Sequence, residues 1–437
     1  MKYTPHTEAD IQRALERIGV SSIDELFTDI PAELLDPEIE LGDRQDEHQV
    51  LSHLRELASR NRPASGFIGG GVRKHFMPSV TSHLAMQSEF VTAYTPYQPE
   101  VAQGILQATF EYQTTISELT GLPVANASMY DGASAAAEAA LLAVRQTGRQ
   151  HITVSQGVDP QTREVLATYL QALDITIETV PLDGMITGQV ELNPETAGLI
   201  MQQPNSLGYL EDMPAAAAAA QAAGALFIAV ADPLSLAVLE APGNYGADVV
   251  VGDGQTLGNP LAFGGPSFGF MAVRQELIRQ LPGRLVGETV DADGKRAYVL
   301  TLQAREQHIR RSKAKSNICS NHQLTAIMAT INVAALGPEG LREQAAASVH
   351  SSHDLADRLQ AAGLEPRLDA RFFNEFFLPL KRPAAQIRRE LADRGVLAGV
   401  PVAAEYGNGL LMTATEITSE EERSQLAGLI SELEAAQ

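Results

Sequence analysis

From residue 124 onward, apolar residues fall in short unbroken runs, and each run is followed by a stretch with helical spacing. Val124–Ser128 opens the series. Asp131–Arg145 (DGASAAAEAALLAVR) then reads as a helix that starts on small residues, His151–Ser155 (HITVS) as a strand, and Pro160–Leu173 as a helix. Ile175–Leu182, Gly198–Asn205, Ala225–Asp232 and Asp248–Gly252 continue the strands, with an alanine-rich helix ahead of Ala225. Strands that are apolar throughout are buried on both faces, and intervening helices supply the crossovers of a parallel sheet. The pattern predicts an α/β domain on a mainly parallel sheet.

The flanks read differently. Thr7-x-x-Asp10 and Ser22-x-x-Glu25 have the form of capping boxes, and His48–Ser59 continues as a charged helix until Asn61–Gly66 (NRPASG) breaks it. Beyond Gln307 a helix is expected at Gln323–Leu336, broken by Gly337-Pro338, with a further helix near Gly340–Ala362. Strands near Phe373–Leu378 and Gly409–Ala414 precede a last helix, in which Leu426, Leu429, Ile430 and Leu433 form one apolar stripe. The expected organisation is an N-terminal helical segment (1–65), a large α/β domain (66–320) and a small α+β domain (321–437). No internal repeat is evident.

Composition narrows the class. With 437 residues, 44% hydrophobic, the chain can bury a sizeable core without metal or disulfide support. Its one cysteine, Cys319, excludes an intrachain disulfide and a cysteine-built zinc cage, and fits a reducing compartment. The net charge of −22 repels nucleic-acid phosphate and anionic membranes, so neither is an expected partner. The N-terminus is polar, without an apolar signal region, and Pro214–Pro233 carries Gln221 and Gly224, as a helix running into a buried strand would. A soluble, cytoplasmic protein is expected.

Candidate chemistry is sparse. There is no G-x-x-x-x-G-K-[ST], H-E-x-x-H or G-x-S-x-G, and Gly69–Gly71 does not clearly join a strand to a helix. Met129–Ala133 (MYDGA) opens a helix behind a strand, either as an anion site or as a tight turn. Asp232, at the carboxyl end of a buried strand, stands where a carboxylate can hold a pyridinium nitrogen protonated, or it caps the next turn. Thr92–Glu100 (TAYTPYQPE) sets two tyrosines among prolines, as recognition loops and buried surface loops both do. Arg305, Arg310, Arg311, Lys313 and Lys315 form a basic cluster suited to internal ion pairs or an acidic partner, and His308 within it reads as a hydrogen-bonded scaffold histidine.

Long co-linear stretches then resemble one family. YTPYQPEVAQGILQATFEYQT, LPVANASMYDGASAAAEAALLA, GRLVGETVDADGKRAYVLTLQAREQHIRRSKAKSNICSN and the GGP loop are similar to the glycine cleavage system P-protein, more narrowly to its N-terminal half, which many bacteria make as a separate subunit 1. The resemblance implies a fold-type-I pyridoxal phosphate (PLP) architecture, with a large seven-stranded α/β domain and a small C-terminal domain. It implies decarboxylation of glycine with PLP and transfer of the aminomethyl remainder to the lipoyl arm of H-protein. In the catalytic half of the family the Schiff-base lysine lies in an H-K-T-F segment before the glycine-rich loop. The matching place here reads Gln255-Thr256-Leu257-Gly258, and no lysine occurs from His75 through Gly294.

The resemblance therefore implies a degenerate subunit. PLP is expected on subunit 2, in a heterotetramer with two copies of each chain, with lipoylated H-protein and glycine as further partners. Tyr94, Thr95, Tyr97, Gln98, His308 and Arg310 are the expected contribution to the partner's active site. Asp131, Ser134, Asp232, Gln255 and Thr256 are the expected remnants of this chain's own pocket, and no metal site is expected. Two other readings stay open: a structural or regulatory subunit that contributes no active-site atom, and an autonomous enzyme that works without lysine.

Overall fold

The computed structural model describes residues 5–35, 37–62, 64–402 and 404–436, and its contacts divide the chain after Arg62 into two compact units. In the first unit, Glu8–Ile18 is a helix closed at Thr7 by a capping box, and Glu47–Ser59 is a second helix with a box at Asp46. The Ser22 box forms only in half. Ser22 accepts from Glu25 N at 3.4 Å, but the Glu25 carboxylate turns to the Ser21 amide and hydroxyl instead.

The second unit is built on seven strands: β1 Val124–Ala125, β2 His151–Ser155, β3 Thr176–Val180, β4 Thr196–Gln203, β5 Leu226–Ala231, β6 Val249–Asp253 and β7 Gly269–Val273. Their spatial order is β1-β7-β6-β5-β4-β2-β3. β6, β5, β4, β2 and β3 run parallel, and β7 is antiparallel to both of its neighbours. The mainly parallel α/β expectation holds. Sequence reading does not separate β7 from the preceding loop, because Phe268 continues its apolar run across the boundary.

Alanine spacing explains how the sheet is covered. Along helix Gly132–Thr147, residues Ala135, Ala136, Ala139, Ala140 and Ala143 are fully buried, and their small side chains let the helix lie close on the sheet. Gly198 sits beneath it, where an added Cβ would come within 3.1 Å of Ala143 Cβ. Larger groups such as Leu142, Ile152 and Ile200 fill the rest of this core, and burying each aliphatic side chain of that size contributes about 1.5–3 kcal/mol. Helices Gln103–Thr120 and Met213–Ala223 cover the other face. Pro214–Pro233 is thus a helix and β5, as its Gln and Gly suggested.

Gln323–Ala361 is long and apolar enough to cross a membrane by length and composition, yet it is a core helix kinked at Gly337 (φ 67, ψ 177). It buries Ala326 and Ala329 before the kink, and Leu341 and Ala345 after it, in the core of the large sheet. Its end buries Leu355, Ala356 and Leu359 beneath a three-stranded sheet made of Glu375–Pro379, Val400–Pro401 and Gly409–Thr413. The final helix, Glu420–Ala435, packs there through Leu426, Ile430 and Leu433.

Candidate active site

The carboxyl ends of β4, β5 and β6 and the N-terminus of helix Gly132–Thr147 surround a cavity of about 410 Å³. This is the edge where open α/β sheets bind ligands. The structure brings Asp131, Asp232 and Thr256 to it. It also brings two residues that sequence reading missed: Arg73, which follows Gly69–Gly71, and Glu375, from the first strand of the small sheet.

Arg73 lines the cavity. Its guanidinium, 4% exposed, donates to Asp232 Oδ2 at 2.9 Å and to Glu375 Oε2 at 3.1 Å. Gln255 grips the Arg73 backbone from both sides: its Oε1 accepts from Arg73 N at 3.0 Å and its Nε2 donates to Arg73 O at 2.9 Å. Thr256 Oγ1 donates to Asp232 Oδ1 at 2.7 Å, and Gly70 N donates to Glu375 Oε1 at 2.6 Å. Burial works against charge on Arg73, but Glu375 and Asp232 outweigh it and hold the guanidinium above its ordinary value. Burial pushes the Glu375 carboxyl up, with Arg73 pulling against it. Three distant segments are thereby bolted together through one side chain.

These residues do not fit PLP. A bound cofactor of that kind needs an anion cup, a carboxylate free to meet the ring nitrogen, and a lysine. At the helix start, Asp131 Oδ1 already accepts from Ser134 N at 2.7 Å, so a carboxylate takes the place of an anion. Asp253 crowds the same turn: a Cβ on Gly132 would lie 2.8 Å from its backbone nitrogen. Asp232 already accepts from Arg73, from Thr256 and, as a turn cap at 3.0 Å, from the Leu234 amide. Lys74, beside Arg73, is exposed. MYDGA is therefore a self-capped turn, while Gln255 holds the Arg73 backbone and Thr256 holds Asp232.

The tyrosine segment makes a second cluster. Tyr94 is 75% exposed and Tyr97 45% exposed, along the rim of an open cleft of about 630 Å³. Ser320 Oγ donates to Tyr94 Oη at 3.0 Å and lies 3.1 Å from Thr95 Oγ1. Arg284 donates to Tyr97 Oη at 2.8 Å, and the His308 ring meets the Tyr97 ring edge-on at 5.4 Å. Tyr94, Thr95, Tyr97 and His308 thus converge, and Gln98 is exposed beside them. Arg310 does not join: its Nε donates to Ala304 O at 3.0 Å, closing its own turn. Arg305 likewise spends its guanidinium on the carbonyls of Leu281 and Gly283 rather than on an acidic face.

The family description "Glycine cleavage system P-protein" matches residues 1–430. A probable glycine dehydrogenase (decarboxylating) subunit 1 of Moorella thermoacetica is 50% identical over 431 residues, covering 97% of each chain. The chain belongs to the glycine cleavage P-protein family. A second subunit 1, from Geotalea uraniireducens, is 47% identical over 444 residues and covers the whole of both chains. A crystal structure of glycine decarboxylase (P-protein) in inhibitor-bound form superposes with a TM-score of 0.89 at 54% identity, covering 99% of this chain and 100% of that one. Mouse CSAD in apo form, at 14% identity and a TM-score of 0.66, shares the fold alone.

The chain is thus a P-protein component of subunit 1 type, on the PLP-dependent transferase fold. Among the described residues no group of His, Cys, Asp and Glu could hold a metal. Two of the missed residues carried a signal. Glu375 is a lone acid in the apolar run Phe372–Leu380, and Arg284 is a lone base before the apolar Leu285-Val286. A charge in such a setting is buried only with a partner. Arg73 in GGGVRKH carried none.

Proposed function

We propose that this chain is the subunit of a cytoplasmic glycine decarboxylase that lacks the Schiff-base lysine, and that it completes the active site of subunit 2. PLP on subunit 2 supplies the electron sink that lets glycine lose its carboxyl group. The aminomethyl remainder passes to the lipoyl arm of H-protein, in a heterotetramer with two copies of each subunit. The supporting observation is a contrast within one chain. In the pocket at the sheet edge Arg73 occupies Asp232 and Glu375, whereas two tyrosines outside it are held in place with their rings exposed.

Tyr94, Thr95, Tyr97 and Gln98 then act by orientation. Tyrosine offers a broad apolar face that excludes water and a hydroxyl that fixes a polar group, at low cost in side-chain freedom. His308 backs the Tyr97 ring. No proton transfer is assigned to this chain.

The test is the double variant Y94F/Y97F, reconstituted with subunit 2. Removal of two positioning hydroxyls should lower kcat/KM about 10²-fold while size-exclusion elution of the heteromer is unchanged. Full turnover from an intact assembly would instead support the structural or regulatory reading.

A further inference from the structure

Three loops meet at the tyrosine cluster, and one buried cation joins them. Arg284 is 7% exposed and lies between the Thr92–Gln98 segment, its own Leu281–Leu285 segment and the Ile318–Ser320 turn. Its guanidinium donates to Tyr97 Oη at 2.8 Å, to Cys319 O at 2.5 Å and to Cys319 Sγ at 3.4 Å. The same group lies 5.2 Å from the centre of the Tyr97 ring. The residue after Cys319 is Ser320, whose hydroxyl holds Tyr94 and Thr95.

We propose that Arg284 is the positioning residue of the tyrosine pair, fixing Tyr97 directly and Tyr94 through the Cys319–Ser320 turn. Turnover of the assembled enzyme then depends on a side chain that itself reaches no substrate. The Thr92–Gln98 segment has no regular secondary structure, and Tyr94 is three-quarters exposed, so local backbone structure does not fix these rings. A planar guanidinium with five donors can hold a hydroxyl and a carbonyl in one rigid arrangement, which an ammonium cannot.

A carboxylate, Glu306, lies behind the guanidinium and is itself 5% exposed. Its carboxylate is 3.8 Å from Arg284 Nε and 3.8 Å from His308 Nδ1. Neither Glu306 oxygen nor Arg284 Nε has a hydrogen-bond partner among the described residues. The two orphaned groups face each other just beyond bonding distance, which leaves the other guanidinium donors free for Tyr97 and Cys319. Burial disfavours charge on Arg284, and its bonds to Tyr97 and Cys319 restore it.

The proposal rests on the reading that Tyr94 and Tyr97 serve the partner's site, and a cycle of variants separates the two. Arg284→Lys reconstituted with subunit 2 should lower kcat about tenfold, because the lysine ammonium keeps a charge but loses the fork, and heteromer affinity should be unchanged. Introduced into Y94F/Y97F, the same substitution should cost less than about twofold more, since groups acting as a unit are not additive. A full multiplicative loss in that background, or full turnover of R284K alone, would overturn the role of Arg284 and leave the tyrosine reading standing. Full turnover of Y94F/Y97F would sink the tyrosine reading first. R284Q, which keeps a planar end, serves as the second variant where lysine disturbs the fold, and it should fall at least as far as R284K.

Discussion

Incubated alone with PLP and carboxyl-labelled glycine, the purified chain should release labelled carbon dioxide no faster than free cofactor does. Addition of subunit 2 should raise the rate by the full factor of the enzyme, and enzymes of this kind accelerate reactions at least about 10⁶-fold. The expectation follows from what the sheet-edge pocket contains. No lysine lies between His75 and Gly294, Asp232 is committed to Arg73 and Thr256, and Asp131 caps the helix where a phosphate would sit. Borohydride treatment of the chain with PLP should therefore fix no cofactor in the pocket. Glycine-dependent release at enzymatic speed by the isolated chain would refute the division of labour between subunits.

Replacement of Arg73 by methionine should destabilise the chain by about 3–5 kcal/mol, as measured by denaturant unfolding, because it leaves two buried carboxylates without their cation. Arg73, Asp232 and Glu375 side chains are 5%, 9% and 5% exposed, so solvent screens them little. The deficit should also depend on pH. A carboxyl whose folded pKa lies above its unfolded value binds more protons when folded, so its contribution to stability is lost as pH rises through the interval between the two. Glu375 is already raised by burial above the ordinary 4.5, and Arg73 restrains that rise. Without Arg73 the interval widens upward, so the deficit should grow from about pH 5 toward pH 8 and shrink on acidification. Neutralising the partners as well, in R73M/D232N/E375Q, should recover most of the loss. An R73M chain as stable as the parent at pH 8 would show that the bolt contributes nothing.

Both expectations concern the same cavity, and they show how far residue order alone reaches. Strands such as HITVS, and the alanine helix running into ALFIAVA, were legible because a strand buried on both faces must be apolar throughout, and a helix lying close on a sheet favours small residues. β7 was less legible, since an antiparallel strand entering from a glycine-rich loop shares its apolar run with that loop. The self-capping of Asp131 was one of two open readings at MYDGA, because a helix start shows the same small residues whether it binds an anion or its own carboxylate.

The amino-acid sequence by itself determined the mainly parallel sheet, the missing lysine and the family, since each is a matter of local pattern or of residue identity. Only the tertiary structure decided what fills the space. Arg73 meets partners 159 and 302 residues away, and Arg284 joins Tyr97 across 187 residues. A buried charge takes whichever opposite charge the fold carries to it, and separation along the chain puts no limit on that choice.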